Sequence, residues 1–262
     1  MPSNNPPAYP GLLQRTLSVW FRHYRVYSKN LISNGLPPFL EPLIFLAGIG
    51  LGMGKYITSM DGIPYLEFLA TGLPITAAMF TAAFECSFGT FIRLEFDKVY
   101  DSMLGAPITV NNLLVGEILW SGTKGFFFSL AVIFIVSLFG IVPLPASFLA
   151  ALVGFLTGLL FASISLFVTS FVNNINHFNF YFTGFLSPMF FFSGVVFPIS
   201  NLPEVIRPFA EIFPLTHSVR LARALSFGAY EWIHLWDLAF IVVFIFVFGW
   251  LAIKRLTPRM ID

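Results

Sequence analysis

Long apolar stretches alternate along the chain with short polar breaks of unequal length. A hydrocarbon core about 30 Å thick is crossed by about 20 predominantly apolar helical residues. Six stretches approach or exceed that length: Pro38–Gly54, Tyr65–Phe88, Leu113–Phe139, Ala146–Val172, Phe178–Phe197 and Leu235–Ile253. Membrane-spanning strands would instead need segments of about ten residues alternating apolar and polar. Runs such as Phe126–Phe139 and Leu238–Leu251 are apolar on every face, so helices fit and a barrel does not. The pattern predicts an all-α polytopic membrane protein with six transmembrane helices occupying residues 36–262.

The segment ahead of the first span has a different rhythm. Residues 1–11 hold four prolines and no apolar run and are expected to form a flexible tail. Over residues 12–31, Leu13, Leu17, Trp20, Tyr24, Tyr27 and Leu31 recur at alternating steps of four and three, while Arg15, Arg22, Arg25 and Lys29 occupy other faces. That is an amphipathic helix, suited either to lying in the headgroup plane or to packing on a soluble partner. It is not the short apolar core of a cleavable signal, so the first span is expected to act as an uncleaved insertion signal.

The connections differ in character. Gly140–Pro145 and Asn173–His177 read as tight turns, whereas Phe91–Asn112 is longer and charged. Within it, a short helix over about 93–105 is expected to end at Gly105 and Pro107. The connection between the fifth and sixth spans is mostly apolar and is punctuated by Pro198, Pro203, Pro208 and Pro214. Such a loop is poorly suited to water, and a re-entrant helical hairpin over about 197–228 is expected, its backbone buried in protein or lining a cavity. In that hairpin Asn201 would cap a helix carrying Val205, Ile206, Phe209 and Ile212 on its apolar side. Pro214 would end that helix, and a second would run from Thr216 to Leu225 with Arg220 and Arg223 on one face.

Charge fixes orientation. An even number of spans puts both termini on one side, and nine of the 14 Lys and Arg residues fall there: Arg15, Arg22, Arg25, Lys29, Arg93, Lys98, Lys254, Arg255 and Arg259. The positive-inside rule makes that side cytoplasmic, as expected for a multi-pass inner-membrane protein. Composition agrees, with 57% hydrophobic and 10% charged residues against about 25% charged in a soluble domain. A net charge of +1 offers no basic surface for nucleic acid. The single cysteine, Cys86, excludes an intrachain disulfide and a cysteine-based zinc cluster and reads as a small core residue.

Candidate chemistry is sparse. HExxH, GxSxG, a dinucleotide fingerprint and paired metal ligands are all missing. So is the phosphate-binding GxxxxGK[ST] loop, since Gly122-Thr123-Lys124-Gly125 has the wrong order and lies within a span. His23, His177, His217 and His234 are scattered over loops and helix ends, where an interfacial role is expected. Glu41, Glu85 and Lys124 fall inside spans, where a charge costs about 2.5–3.5 kcal/mol on insertion scales. Pairing with opposite charges at the membrane edge suits their positions, and direct ion coupling is the alternative. Gly48, Gly50, Gly52 and Gly54 offer a close-approach face for a symmetric dimer contact. The 34 phenylalanines, including Phe126–Phe128 and Phe190–Phe192, could line a path or simply face lipid.

Several motifs carry a resemblance to a known family. They are Leu40-Glu41-Pro42-Leu43-Ile44-Phe45 leading into Gly48-Ile49-Gly50-Leu51-Gly52, Tyr65-Leu66-Glu67-Phe68-Leu69-Ala70-Thr71-Gly72, and Asp101-Ser102-Met103-Leu104-Gly105-Ala106-Pro107-Ile108-Thr109. More specific are Phe197-Pro198-Ile199-Ser200-Asn201-Leu202-Pro203 and Phe213-Pro214-Leu215-Thr216-His217. Over nearly its whole length the chain resembles the type-2 ABC exporter permeases, and within them the NodJ-type permeases of nodulation lipo-oligosaccharide export. The resemblance implies a homodimer or pseudo-dimer with the path at its interface and a soluble P-loop ATP-binding subunit beneath each copy. ATP and Mg would sit on that partner, and no cofactor, metal or catalytic residue on this chain. Glu95, Phe96, Asp97, Lys98, Tyr100 and Asp101 would form the coupling helix, which can act as a lever because it is fastened to two spans. Residues 12–31 would be the interfacial helix, touching the ATPase or anionic lipid, and Pro198, Pro203, Val205, Phe209 and Pro214 would belong to an outer gate. Exported substrates in the family are lipo-oligosaccharides, polysaccharides, lipids and hydrophobic drugs. A non-ABC channel or scaffold is the alternative from another class, and a membrane-embedded enzyme is the third.

Overall fold

The computed structural model describes residues 10–142 and 146–261, without the side chains of 37–39. Most of the tail expected over 1–11, and the last part of the turn expected over 140–145, lie outside the described residues. In chain order the elements are α1 (Leu12–Ser28), α2 (Leu31–Leu51), strands β1 (Ser59–Met60) and β2 (Ile63–Pro64), α3 (Tyr65–Phe96) and α4 (Val99–Leu104). They continue with α5 (Val110–Leu138), α6 (Ala146–Thr169), α7 (178–192), α8 (Arg207–Ile212), α9 (Pro214–Phe227) and α10 (Ile233–Ile261). Among the described residues, α2, α3, α5, α6 and α10 are long and apolar enough to cross a membrane. The segment expected as the fifth span is helical only over 178–192, about 22 Å at 1.5 Å per residue. It ends where Gly194 takes a φ of +77° and turns the chain, placing Val195 against Gly72 in the core.

Boundaries moved where capping or proline chemistry decided them. Helix α5 starts at Val110 rather than Leu113 because Thr109 caps it: Asn112 N donates to Thr109 Oγ1 at 3.3 Å, and Thr109 N donates back to Asn112 Oδ1 at 3.2 Å. Helix α2 starts at Leu31, ahead of its prolines, and widens into a π-helical stretch at Leu46–Leu51. Such local adjustment is how membrane helices re-satisfy backbone groups freed by proline. Helix α3 runs to Phe96, with π-helical turns at Glu85–Gly89 and Ile92–Phe96. The helix expected over 93–105 is therefore two pieces. Residues 93–96 close α3, and α4 starts only after Lys98, whose φ of +50° makes the corner.

The hairpin helices also differ from expectation. Asn201 lies in a 3-10 turn, Ile199–Asn201, and caps no α-helix; α8 begins at Arg207 with Pro208 in its first turn, where its missing N–H has no intrahelical partner to lose. Pro214 starts α9 rather than ending α8. The two-residue strands β1 and β2 meet through Asp61 and Gly62, both with positive φ (+51° and +77°), as a tight hairpin turn requires.

The core is built around α3, α5 and α6. Glycines let α5 and α6 touch backbone to backbone: a Cβ at Gly158 would meet Gly122 Cα at 2.9 Å, and one at Gly125 would meet Gly154 O at 2.7 Å. By contrast α2 is 13% and α10 22% buried over their most apolar windows, against 67% for α3 and α6, so these two line the periphery. Contacts define two ends. At one, α1, α4, the start of α5 and the end of α10 meet; at the other, the β-hairpin, α8 and α9 gather around the start of α3.

Candidate functional site

Just inside the α4 end, six polar side chains converge where apolar packing would be expected. Glu117, about two turns into α5, is fully buried. Arg93 Nη2 donates to its Oε2 at 2.8 Å, and Tyr100 of α4 donates its hydroxyl to Oε1 at 2.6 Å. His23 of α1 is also buried and brings Nε2 to 2.9 Å from Oε1, though off the hydrogen-bonding direction. Arg93 bridges onward, Nη1 to Glu85 Oε1 at 2.8 Å, and Lys124 Nζ closes the chain on Glu85 Oε2 at 2.8 Å. Two carboxylates thus face two cations, the arrangement buried charges require. Burial pushes the Tyr100 phenol well above its ordinary value, so it stays a donor. His23, Glu85 and Glu117 place three possible metal donors within 4.8 Å of one another. Their carboxylate oxygens are nonetheless taken by Arg93, Tyr100 and Lys124.

Lys124 is also one wall of a cavity of about 630 Å³ between α2, α3 and α7. Phe45, Leu73, Phe80, Phe84 and Phe190 make its apolar surface, and Glu41, Asn34 and Thr81 supply polar groups. Thr81 Oγ1 is buried and has no hydrogen-bond partner among the described residues. From the cavity wall the rings continue in edge-on and tilted pairs, with centroids 5.4 Å apart for Phe45 and Phe190, 4.3 Å for Phe84 and Phe182, and 5.0 Å for Phe88 and Phe178. Phe190 faces the cavity, whereas Phe128 is core and Phe127 is exposed.

A second ionic knot ties the opposite end. Arg220 of α9 grips Asp237 of α10 through Nη2 at 2.6 Å and Nε at 2.9 Å, and Glu211 of α8 at 2.8 Å; His217 Nδ1 lies 2.7 Å from the same Asp237. Burial alone would lower the Arg220 guanidinium, but the hydrogen bonds to Asp237 and Glu211 outweigh it and leave the group above its ordinary value. Arg223, expected on the same face, points elsewhere: it donates to Thr71 Oγ1 and to the carbonyls of Phe68 and Gly194.

The expected site residues divide. Of the coupling group, Phe96, Asp97, Lys98 and Asp101 are exposed at the corner, Glu95 pairs with Arg259 at 2.8 Å, and Tyr100 is wholly buried in the network. On α1, Thr16, Val19 and His23 face α5 while Leu13, Leu17 and Tyr24 remain exposed; Arg25 and Lys29 are exposed, and Arg15 and Arg22 half-buried. The glycines of α2 do not share one face, because positions two apart lie about 200° apart on a helix. Gly50 is tight against Leu66, whereas Gly48 and Gly52 look into open space. Val205 and Phe209 are exposed. Glu85 and Lys124 pair with each other, while Glu117, Asp237 and the burial of His23 and His217 have no signal in the apolar pattern of the sequence.

Five long apolar helices around a buried polar knot and an adjoining cavity define a polytopic helical membrane protein. Residues 14–227 match the family described as ABC-2 type transporter, and the chain belongs to that family. It is 36% identical over 207 residues to Nodulation protein J of Sinorhizobium fredii, covering 79% of each chain. Nodulation protein J of Rhizobium leguminosarum bv. trifolii is 33% identical, with 87% of each covered. The inner membrane transport permease YadH of Escherichia coli is 22% identical over 77% of this chain and 78% of YadH.

Proposed function

We propose that this chain is the membrane-spanning subunit of an ATP-driven exporter, working as a homodimer in the bacterial inner membrane with each copy on a separate soluble P-loop ATPase that holds the ATP and Mg. The observation that carries this reading is the unbroken run of hydrogen bonds from Tyr100 on α4, through Glu117, Arg93 and Glu85, to Lys124 on the cavity wall. Movement imposed on α4 by an ATPase reaches the cavity along this run, because rigid, fully paired groups move together. The exposed corner Phe96, Asp97, Lys98 and Asp101 is the docking point for the ATPase.

In this reading α7 completes six spans, both termini are cytoplasmic, and α1 lies in the headgroup layer with Leu13, Leu17 and Tyr24 towards lipid. Helices α8 and α9 form a re-entrant hairpin that gates the outer end, held shut by the Arg220–Asp237 knot. The cavity suits an amphipathic substrate of the lipid or lipid-linked glycan class, with aromatic rings for its apolar part and Lys124, Glu41 and Thr81 for a hydroxylated head. Gly48 and Gly52 on the exposed face of α2 make the dimer contact. The test is docking: Asp97→Lys with Asp101→Lys is expected to abolish co-purification of the ATPase while the chain still inserts in the membrane. Undiminished co-purification would place the contact elsewhere.

A further inference from the structure

Helix α10 has 29 residues, about 43 Å at 1.5 Å per residue, against a hydrocarbon core of about 30 Å. Lys254, Arg255 and Arg259 in its last two turns place those turns in the headgroup layer, at the α4 end. There they flank the end of α6 and enclose a groove of about 620 Å³ lined by Phe167, Ser170, Phe171, Leu251, Lys254 and Arg255. Arg259 at the groove's edge is engaged, with Glu95 at 2.8 Å and the Thr169 carbonyl at 3.1 Å. Lys254 and Arg255 are not: both are exposed, and their recorded partners are aromatic rings, Trp250 at 5.0 Å and Phe171 at 3.8 Å. Among the described residues, no carboxylate lies within ion-pair distance of either.

An apolar groove at the membrane edge is thus headed by two cations that have no counter-ion among the described residues and are held in place by aromatic rings. We propose that this groove binds an anionic phospholipid, its phosphodiester between Lys254 and Arg255 and an acyl chain along Phe167 and Leu251. Charge complementarity selects that occupant. A zwitterionic lipid brings its own cation to a site that already has two, and a protein helix would have to supply acidic residues at the depth of the headgroups. Basic pockets between helices at this depth are where anionic headgroups bind. Through Arg259 and Glu95 the site abuts the corner between α3 and α4, so its occupancy stiffens the segment next to α4. The inference needs only that the chain spans a bilayer and is independent of what it transports.

Trp250 reports on the site. In phosphatidylcholine vesicles containing a minority of phosphatidylglycerol, either lipid is supplied brominated. Quenching due to Trp250 is taken as the difference between the protein and its Trp250→Phe variant. Brominated phosphatidylglycerol is expected to quench far beyond its mole fraction. Lys254→Gln with Arg255→Gln should reduce that preference by about fivefold per cation removed, whereas Lys254→Arg with Arg255→Lys should keep it. Arg22→Gln with Arg25→Gln removes two cations from the same end outside the groove and should also leave the preference intact. Equal quenching by the two lipids, or equal loss in both Gln pairs, would overturn the site in favour of diffuse attraction to the leaflet.

Discussion

Replacing Glu117 by Gln keeps the shape of the buried knot and removes one of its two carboxylates. Arg93 then keeps only Glu85, which already holds Lys124 at 2.8 Å, so two cations share one anion away from water. Breaking a buried pair by removing one partner costs about 3–5 kcal/mol. Tyr100→Phe removes the 2.6 Å hydrogen bond to the carboxylate, worth about 1.5–3 kcal/mol for a bond to a charged group, together with the 3.2 Å bond that the hydroxyl accepts from Arg93 Nε. Because the two changes act on the same bond, the double variant should fall short of their sum by about 0.5–3 kcal/mol. The assay is the thermal unfolding midpoint in detergent micelles. At about 2–4 °C per kcal/mol for a chain of this size, Glu117→Gln should lower the midpoint by roughly 6–20 °C. Asp101→Asn, exposed on the same helix as Tyr100, should leave it unchanged. A Glu117→Gln midpoint equal to that of the parent, or strict additivity in the double variant, would refute the network as a structural unit.

In a Cys86→Ala background, cysteine at Gly48 or Gly52 should crosslink between subunits, while cysteine at Gly50, which faces Leu66, should not; the reverse pattern would move the dimer contact off this face. If the hairpin is re-entrant, the exposed Val205 and Phe209 face lipid, so single cysteines there should react slowly with an external, membrane-impermeant thiol reagent and faster during ATP turnover. Rapid labelling indifferent to ATP would make 197–228 a solvated loop instead of a gate.

Apolar run length located the spans because membrane burial imposes one simple requirement, about 20 residues without charge, and α3, α5, α6 and α10 follow it. What that rule does not see is a charge that is paired within the bundle. Glu117 is a lone carboxylate in sequence, and its partners Arg93, Tyr100 and His23 lie on three other helices; only the fold brings them together. The same holds for Asp237 with Arg220 and His217. Other misses had local signals that went unread. Thr109 and Asn112 spell a reciprocal cap, Asp61-Gly62 is a hairpin turn, and Gly154 and Gly158, four apart, mark the face that touches α5. The glycines of α2 were more conspicuous, but their step of two places them on alternate faces. The charged segment expected to be one helix over about 93–105 is instead broken at a corner, since the left-handed backbone at Lys98 belongs to a residue type that rarely adopts it.

The central claim is that this chain moves substrate while another polypeptide hydrolyses ATP. It is tested most directly in proteoliposomes by measuring ATP hydrolysis for the purified chain alone and after its soluble P-loop ATPase is added. The account predicts no hydrolysis by the chain alone, and robust hydrolysis with the partner that is lost when Asp97→Lys and Asp101→Lys are introduced together. Robust hydrolysis by the isolated chain would contradict it.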